Sequence, residues 1–502
     1  MISCRAIDSA VLLLTTFTFA LPLCPSSASA LRRDTQSSRN RIDLKQCQLP
    51  NVDGSALCGV YDVYENRATK SGRKISLNIV IIPALGPTHL PDPVFWLHGG
   101  PGAGATEAVG IAKGGFLEVF RKDRDLVFVD QRGTGKSNPL KCDIGDDPVD
   151  LQTYFGKLFP VAAVRACREK LEKTADLRMY TTPIAMDDLE EVRDALGYEK
   201  INIVAASYGT IAAQVYMRQH SASVRAAFLV GVATPGVKQP LLFARAAQHA
   251  LDLVIVDCAA DQTCNRAFPN LRSEFQAVLS RFDNGPIEVN MLDVTTKELR
   301  SVRLERENYV ERLRLLLYTT TFARYVPLVV HEAYGGNFVP FETISIRYNP
   351  GSLLARGMYL TVTCSEGVRF ISSSEIVSEA KGTFVGERRV RAHMAACNDW
   401  PKGDVPTSFI EPVKSDIPII MFSGEVDGSS PPWFGKNAVR YMHNGIQILA
   451  RYYGHQLDSP CLWEVMRTFI NSASVREIDS SCSEQIRRPP FATEIPPQLS
   501  LQ

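Results

Sequence analysis

Apolar and polar residues change rhythm several times along the chain, and the changes outline a fold. "KISLNIVIIPA" (Lys74 to Ala84) alternates and then runs apolar, as an early strand does. Short apolar runs follow, each ending in glycine or aspartate: "PVFWLHGG", "DLVFVDQRG", "INIVAASYG" and "AAFLVGVATPG". Such runs predict strands buried on both faces, the mark of a parallel sheet. Helical stretches lie between them, such as "MDDLEEVRDALG" (Met186 to Gly197), acidic at its start and closed by glycine. The alternation predicts an α/β fold, a mostly parallel sheet with helices on both faces.

The rhythm then shifts. From about Val237 to Val413 the pattern is mainly helical, and "RENYVERLRLLLYTTTFARYVPLVVHEAY" (Arg306 to Tyr334) carries apolar residues at helical spacing. Sheet character returns in "DIPIIMFSGEVD" (Asp416 to Asp427) and "GIQILARYYGH" (Gly445 to His455). The expected organisation is a first core part over 31–236, a helical insertion over 237–413 and a second core part over 414–478. Residues 31 to about 44 form a polar, basic lead-in. The tail over 479–502, "RRPPFATEIPPQLSLQ" at its end, is proline-rich and is expected to add no strand or helix. No internal repeat is present.

Residues 1–30 read as an export signal. Arg5 supplies the positive start, Ala10 to Leu23 the apolar core, and "ASA" (Ala28 to Ala30) the small-residue cleavage site. The apolar run is shorter than the ~20 residues that span a bilayer. Leu23 before Cys24 does not fit a small-residue lipoprotein site. Removing 30 of the 502 residues leaves 472, enough for a large domain with an insertion and no stable membrane segment. The formal net charge of +1 gives no electrostatic case for nucleic acid.

Export changes how the cysteines read. Twelve in the chain become ten after cleavage, an even number that points to disulfides. Sequence does not determine connectivity, but near neighbours suggest Cys47–Cys58, Cys142–Cys167, Cys258–Cys264, Cys364–Cys397 and Cys461–Cys482. No close-set Cys/His quartet and no C-x-x-C occurs, so no metal or cofactor is expected.

The stretch "DQRGTGKS" (Asp130 to Ser137) ends like a phosphate-binding loop, but the first glycine of that pattern is here Asp130. Stronger chemistry lies in "INIVAASYGT", a strand followed by Ser207 on a tight turn into a helix. Such a turn projects Oγ above the sheet, and the helix N-terminus favours negative charge. Ala205 replaces the usual first glycine of the motif. A base and an acid must follow in chain order, and Asp427 and His455 each follow a strand, on the serine's edge of the sheet. Glu425 is the rival acid. His443 is the rival base, placed before its strand and so on the opposite edge. "FWLHGGPGAG" (Phe95 to Gly104) offers backbone N–H groups: Gly99 or Gly100, with Tyr208, could stabilise an oxyanion.

Together "HGGPG", "DQRGTGKS" and "AASYGT", with Asp427 and His455 behind them, resemble the proline iminopeptidase and tripeptidyl aminopeptidase group of α/β-hydrolases. The resemblance spans roughly residues 50 to 470, and its cysteine couples resemble the exported branch. It implies an α/β-hydrolase fold with a helical cap inserted before the last strands. It also implies a scaffold role for "DQRGTGKS" and a peptide or small ester substrate. The departures are Ala205 and "LVGVATP", where the family has an aspartate before the glycine. The expected function is an exported, periplasmic or secreted serine aminopeptidase. A carboxylesterase using the same triad is the alternative, and a retired binding protein the alternative of another class. Because the family uses cap acids to hold a substrate's amine, Glu366 in "YLTVTCSEGVRF" is the expected amine-binding residue.

Overall fold

The computed structural model describes residues 42–49, 52, 56–145, 147–456 and 458–499. The expected signal segment, including Cys24, and residues 31–41 of the lead-in lie outside the described residues. The main sheet is built from β1 (Lys45–Cys47), β2 (Ala56–Tyr64), β3 (Lys74–Ile82), β4 (Val94–Leu97), β5 (Leu126–Val129), β6 (Ile201–Ala206) and β7 (Val224–Val230). A separate hairpin, β8 (Ile287–Leu292) and β9 (Leu299–Leu304), precedes the last two sheet strands, β10 (Ile419–Gly424) and β11 (Gly445–Ala450). The order across the nine-stranded sheet is β1-β2-β3-β5-β4-β6-β7-β10-β11. The first pairings, through β3 with β5, are antiparallel, and every pairing from β5 onward is parallel.

The apolar runs became central strands because they are buried on both faces. All four positions of β4 and of β5 are buried, as are all six of β10. Phe95, Ile203 and Leu229 face one core, while Trp96, Val204 and Phe228 face the other. Helix Thr182–Leu196 starts with a proline in its first turn and ends where Gly197 turns left-handed at φ 83°.

Register aligns the chemistry. Leu97 pairs with Ala205, Ala206 with Val230, Val230 with Phe422, and Gly424 with Ala450. The loops after β4, β6, β7, β10 and β11 therefore leave one edge of the sheet, at the carboxyl ends where ligands bind.

Three details refine the sequence reading. The helical spacing over 306–334 resolves into three helices, Arg306–Leu316, Thr320–Ala323 and Val326–Tyr334, separated by short turns. The β8–β9 hairpin interrupts the helical stretch. The stretch over 237–413 also divides between two cores. Helices such as Phe243–Ala260 pack with Leu151, Tyr154 and Phe155 in a core of their own, while Met358, Leu360 and Trp400 pack into the sheet's core. Among its described residues the tail forms short 3₁₀ turns at Ser481–Gln485 and Pro497–Leu499, and Phe491 and Ala492 are buried in the covering core. All five near-neighbour disulfides are formed.

Candidate active site

Ser207 sits between β6 and helix Tyr208–Gln219 with φ 57° and ψ −127°, a strained conformation for a residue with a side chain. Its N–H donates to Val230 O at 3.0 Å, and its carbonyl accepts from Thr210 Oγ1 at 2.6 Å. The turn is crowded: a Cβ on Gly209 would lie 2.2 Å from Leu97 O. Ala205 is fully buried in β6, so the departure from the motif falls where a methyl fits.

Asp427 and His455 form a hydrogen-bonded pair. His455 Nδ1 lies 2.7 Å from Asp427 Oδ2, and Asp427 Oδ1 accepts the N–H groups of Ser429 and Ser430 at 2.8 Å each. Asp427 is fully buried, so these bonds hold the carboxylate in one orientation. His455 Nε2 has no partner among the described residues, and the ring lines the same cavity as Ser207. Gly231 seats that ring, because a Cβ there would lie 2.7 Å from its Nδ1 and Cε1. The glycine of "LVGVATP" thus has a steric reason. The covering segment grips both loops: His455 N donates to Tyr318 O at 2.6 Å and Gly428 N to Leu317 O at 3.2 Å.

The rivals fall elsewhere. Glu425 approaches Arg451, at 3.8 Å, on a half-exposed surface. His443 is exposed and pairs with Asp416 at 2.5 Å, beyond the other end of β10.

The oxyanion expectation is narrowed. The Gly99 N–H already donates to His98 Nδ1 at 2.7 Å. Burial drives His98 down to about 4, against the pull of Glu107 and Asp130, so the ring is neutral and its Nδ1 can accept. Gly99 is therefore corrected from donor to spacer. The amides of Gly100 and Tyr208 have no acceptor among the described residues, and that pair can receive developing negative charge.

Four N–H groups of "DQRGTGKS" are bonded within the loop itself. Gly133 donates to Ser137 O, Thr134 to Gln131 O, Ser137 to Thr134 O, and Lys136 to Asp130 Oδ2. Buried Asp130 also accepts from Thr106 N and Oγ1 at 2.8 Å and from Asn78 Nδ2 at 3.0 Å, tying the glycine-rich loop down. Buried Arg132 bonds Asp188 through Nε at 2.6 Å and Nη2 at 2.8 Å.

Above Ser207 lies a cavity of about 390 Å³, walled by His98, Gly100, Phe159, Phe243 and Tyr318, with Glu311, Arg314 and Arg389. Glu366 is not among its lining residues. It is buried behind Tyr208, where Oε1 accepts Thr182 N at 2.5 Å and Oε2 accepts Thr182 Oγ1 at 2.6 Å. Its oxygens hold the start of helix Thr182–Leu196, so the expected amine-binding role is corrected to a structural one. Glu311 is the acid that sequence reading missed. Its only sequence signal was helical spacing within "YVERLRLLL".

A parallel sheet carrying a serine on a strained turn, with an Asp–His pair on later loops, defines an α/β hydrolase. Residues 92–308 match the family described as alpha/beta hydrolase fold, and residues 382–482 match the one described as TAP-like protein. The chain has the α/β-hydrolase fold, and its TAP-like match contains Asp427 and His455. It is similar to Serine protease Hip1 of Mycobacterium tuberculosis, 28% identical over 234 residues that cover 42% of this chain and 43% of that protein. It is also similar to the tripeptidyl aminopeptidase of Streptomyces coelicolor, 30% identical over 200 residues, 36% of each. The chain thus spans less than half the length of these relatives. A solved proline iminopeptidase from Mycobacterium smegmatis is 15% identical, with a TM-score of 0.40 over 82% of this chain and 98% of that one.

Proposed function

We propose that the chain is an exported serine peptidase that cleaves short peptides through an acyl-enzyme. The observation that carries this reading is Ser207 on its strained turn beside the Asp427–His455 pair. Ser207 Oγ attacks the scissile carbonyl while His455 Nε2 takes its proton and later returns it to the leaving amine. Asp427 keeps the proton on Nδ1 and stabilises the charged ring. The amides of Gly100 and Tyr208 bind the oxyanion. Release from the N-terminal end is the reading that the relatives' names favour, and the five disulfides are consistent with an oxidising compartment. The enclosing cavity suits short substrates rather than folded ones.

A fluorophosphonate probe and a peptide library, with aryl esters alongside, test the reading together. The wild type should label at Ser207 and cleave peptides. Ser207→Ala should abolish both, with turnover falling ~10⁴-fold or more. Ester turnover without peptide cleavage would make the chain an esterase, and a wild type that neither labels nor cleaves would rule out a hydrolase.

A further inference from the structure

We propose that the catalytic cavity selects substrates that carry a carboxylate, received at the Arg314–Glu311–Arg389 cluster in its wall. The proposal rests on the hydrolase reading of Ser207 and narrows its substrate class. Arg314 bonds Glu311 through Nε at 2.9 Å and Nη2 at 2.6 Å, and Arg389 Nη1 pairs with Glu311 Oε1 as well. One carboxylate therefore serves two guanidiniums, and the trio keeps an excess positive charge. Both cations lie over the Phe243 ring, 4.8 and 5.1 Å from its centre, and both side chains are nearly buried. Charge in such a setting is poorly screened and needs a partner.

Other bonds do not supply one. Arg314 Nη1 donates to Tyr318 OH at 2.7 Å and Arg389 Nη2 to Tyr359 OH at 3.1 Å, both neutral oxygens. Buried Nε of Arg389 has no acceptor among the described residues, the mark of an incomplete set. Glu311 is the one carboxylate among the described residues lining the cavity, whereas Lys157, Arg312 and Arg356 line it too.

The same arrangement argues against an amine. Burial would raise Glu311, but Arg314 and Arg389 override it and hold the group down to about 2. A carboxylate so fully engaged has little left for an ammonium ion, which would also meet the surplus positive charge. An incoming carboxylate instead completes two pairs. It can come from a peptide's C-terminus or from an aspartate or glutamate side chain, since both present the same two oxygens.

The test uses short peptides in matched forms: C-terminal acid against amide, and Glu or Asp against Gln or Asn, each with a free or acetylated N-terminus. The wild type should show kcat/KM roughly tenfold higher or more for the carboxylate-bearing member of one series, which also identifies the source. Arg389→Gln should bring that ratio close to one, chiefly by raising KM for the acid forms. If it does not fold, Arg389→Lys, which keeps charge but loses the planar fork, should reduce the ratio. Glu311→Gln should preserve the preference for acids, whereas a selective loss on free over acetylated N-termini would assign Glu311 to an amine and overturn the proposal. Equal rates on acid and amide forms would overturn it while leaving the hydrolase intact. If no peptide is turned over, calorimetric titration of Ser207→Ala with the same peptides reads the preference directly. Tighter binding of the acids supports the cavity site even if the serine chemistry fails, and no difference refutes it.

Discussion

The sheet edge that carries Ser207 and the segments that cover it treat their charges in opposite ways. At the edge, buried charge is fully engaged. Asp130 accepts four hydrogen bonds, Asp427 holds His455 and two serine amides, and Arg132 meets Asp188 in a two-pronged bond. In the cover, Glu311 is divided between two arginines and charge is left over. Satisfied charges fix positions, and they do so where a small displacement would be most damaging. Unsatisfied charge invites a ligand. The contrast locates positioning in the edge and selection in the cover.

The sharpest way to break that division is to disturb positioning alone. Asp427→Asn should lower turnover by ~10⁴-fold while binding persists, because the amide no longer enforces the right tautomer of His455. Glu425→Gln, on the neighbouring half-exposed surface, is the control, and steady-state kinetics of both compare them. A larger loss in the control would move the acid. Gly231→Ala should follow at roughly 10²-fold, since the new methyl intrudes on the His455 ring and shifts it without touching its chemistry. The fluorophosphonate labelling rate should fall with it. Unchanged labelling would mean that the ring has room to spare.

The disulfides test the cover. Cys364–Cys397 closes 33 residues and ties the segment that carries Glu366 to helix Arg388–Cys397, which contains Arg389. Replacing both cysteines by serine should cost roughly 2–4 kcal/mol by chemical denaturation. It should also weaken substrate binding more than serine labelling, because selection and not the nucleophile is on that side. Equal losses in both would show that the edge depends on the cover for its own order.

The edge was readable because its chemistry demands contiguous residues. A nucleophile turn needs small neighbours, an oxyanion loop needs bare backbone, and the acid and base must follow strands, so Ser207, the Gly99–Gly100 pair, Asp427 and His455 stand out by pattern. The disulfides were readable because each joins near neighbours. Other features depended on contacts between distant segments. The break after Leu316 lets Leu317 and Tyr318 present their carbonyls to the Asp427 and His455 loops, which helical spacing alone does not reveal. The polar β8–β9 hairpin gave no apolar run to notice. Gly99 and Gly100 are alike in sequence, and the bond from the Gly99 N–H to the side chain of His98 separates them. Glu366 and Glu311 were likewise indistinguishable until packing put one behind Tyr208 and the other in the cavity wall.

Those two glutamates give the smallest and most specific prediction. Glu366 belongs to the positioning side although it lies in the helical stretch. Burial raises its carboxyl to about 7, only partly offset by the two bonds from Thr182, whereas Glu311 is held near 2 by its arginines. In the unfolded chain Glu366 returns to an ordinary carboxylate value. Below about pH 4.5 the group is protonated in both states, and its contribution to stability is complete. As pH rises through 7 the unfolded chain has released a proton that the folded protein still favours, so that contribution is lost. Glu366→Gln does not titrate. The melting temperature of the wild type relative to this variant should therefore decline by roughly a few degrees between pH 4.5 and 7 and level off above it. Glu342, also raised to about 7 by burial, titrates in both proteins and cancels from the difference. Calorimetry across this range measures it. On matched peptides, Glu366→Gln should slow free and acetylated N-termini alike, through Thr182 and the Tyr208 hydroxyl bonded to it at 2.6 Å. A loss confined to free N-termini would return Glu366 to the substrate's side and erase the division between edge and cover at that residue.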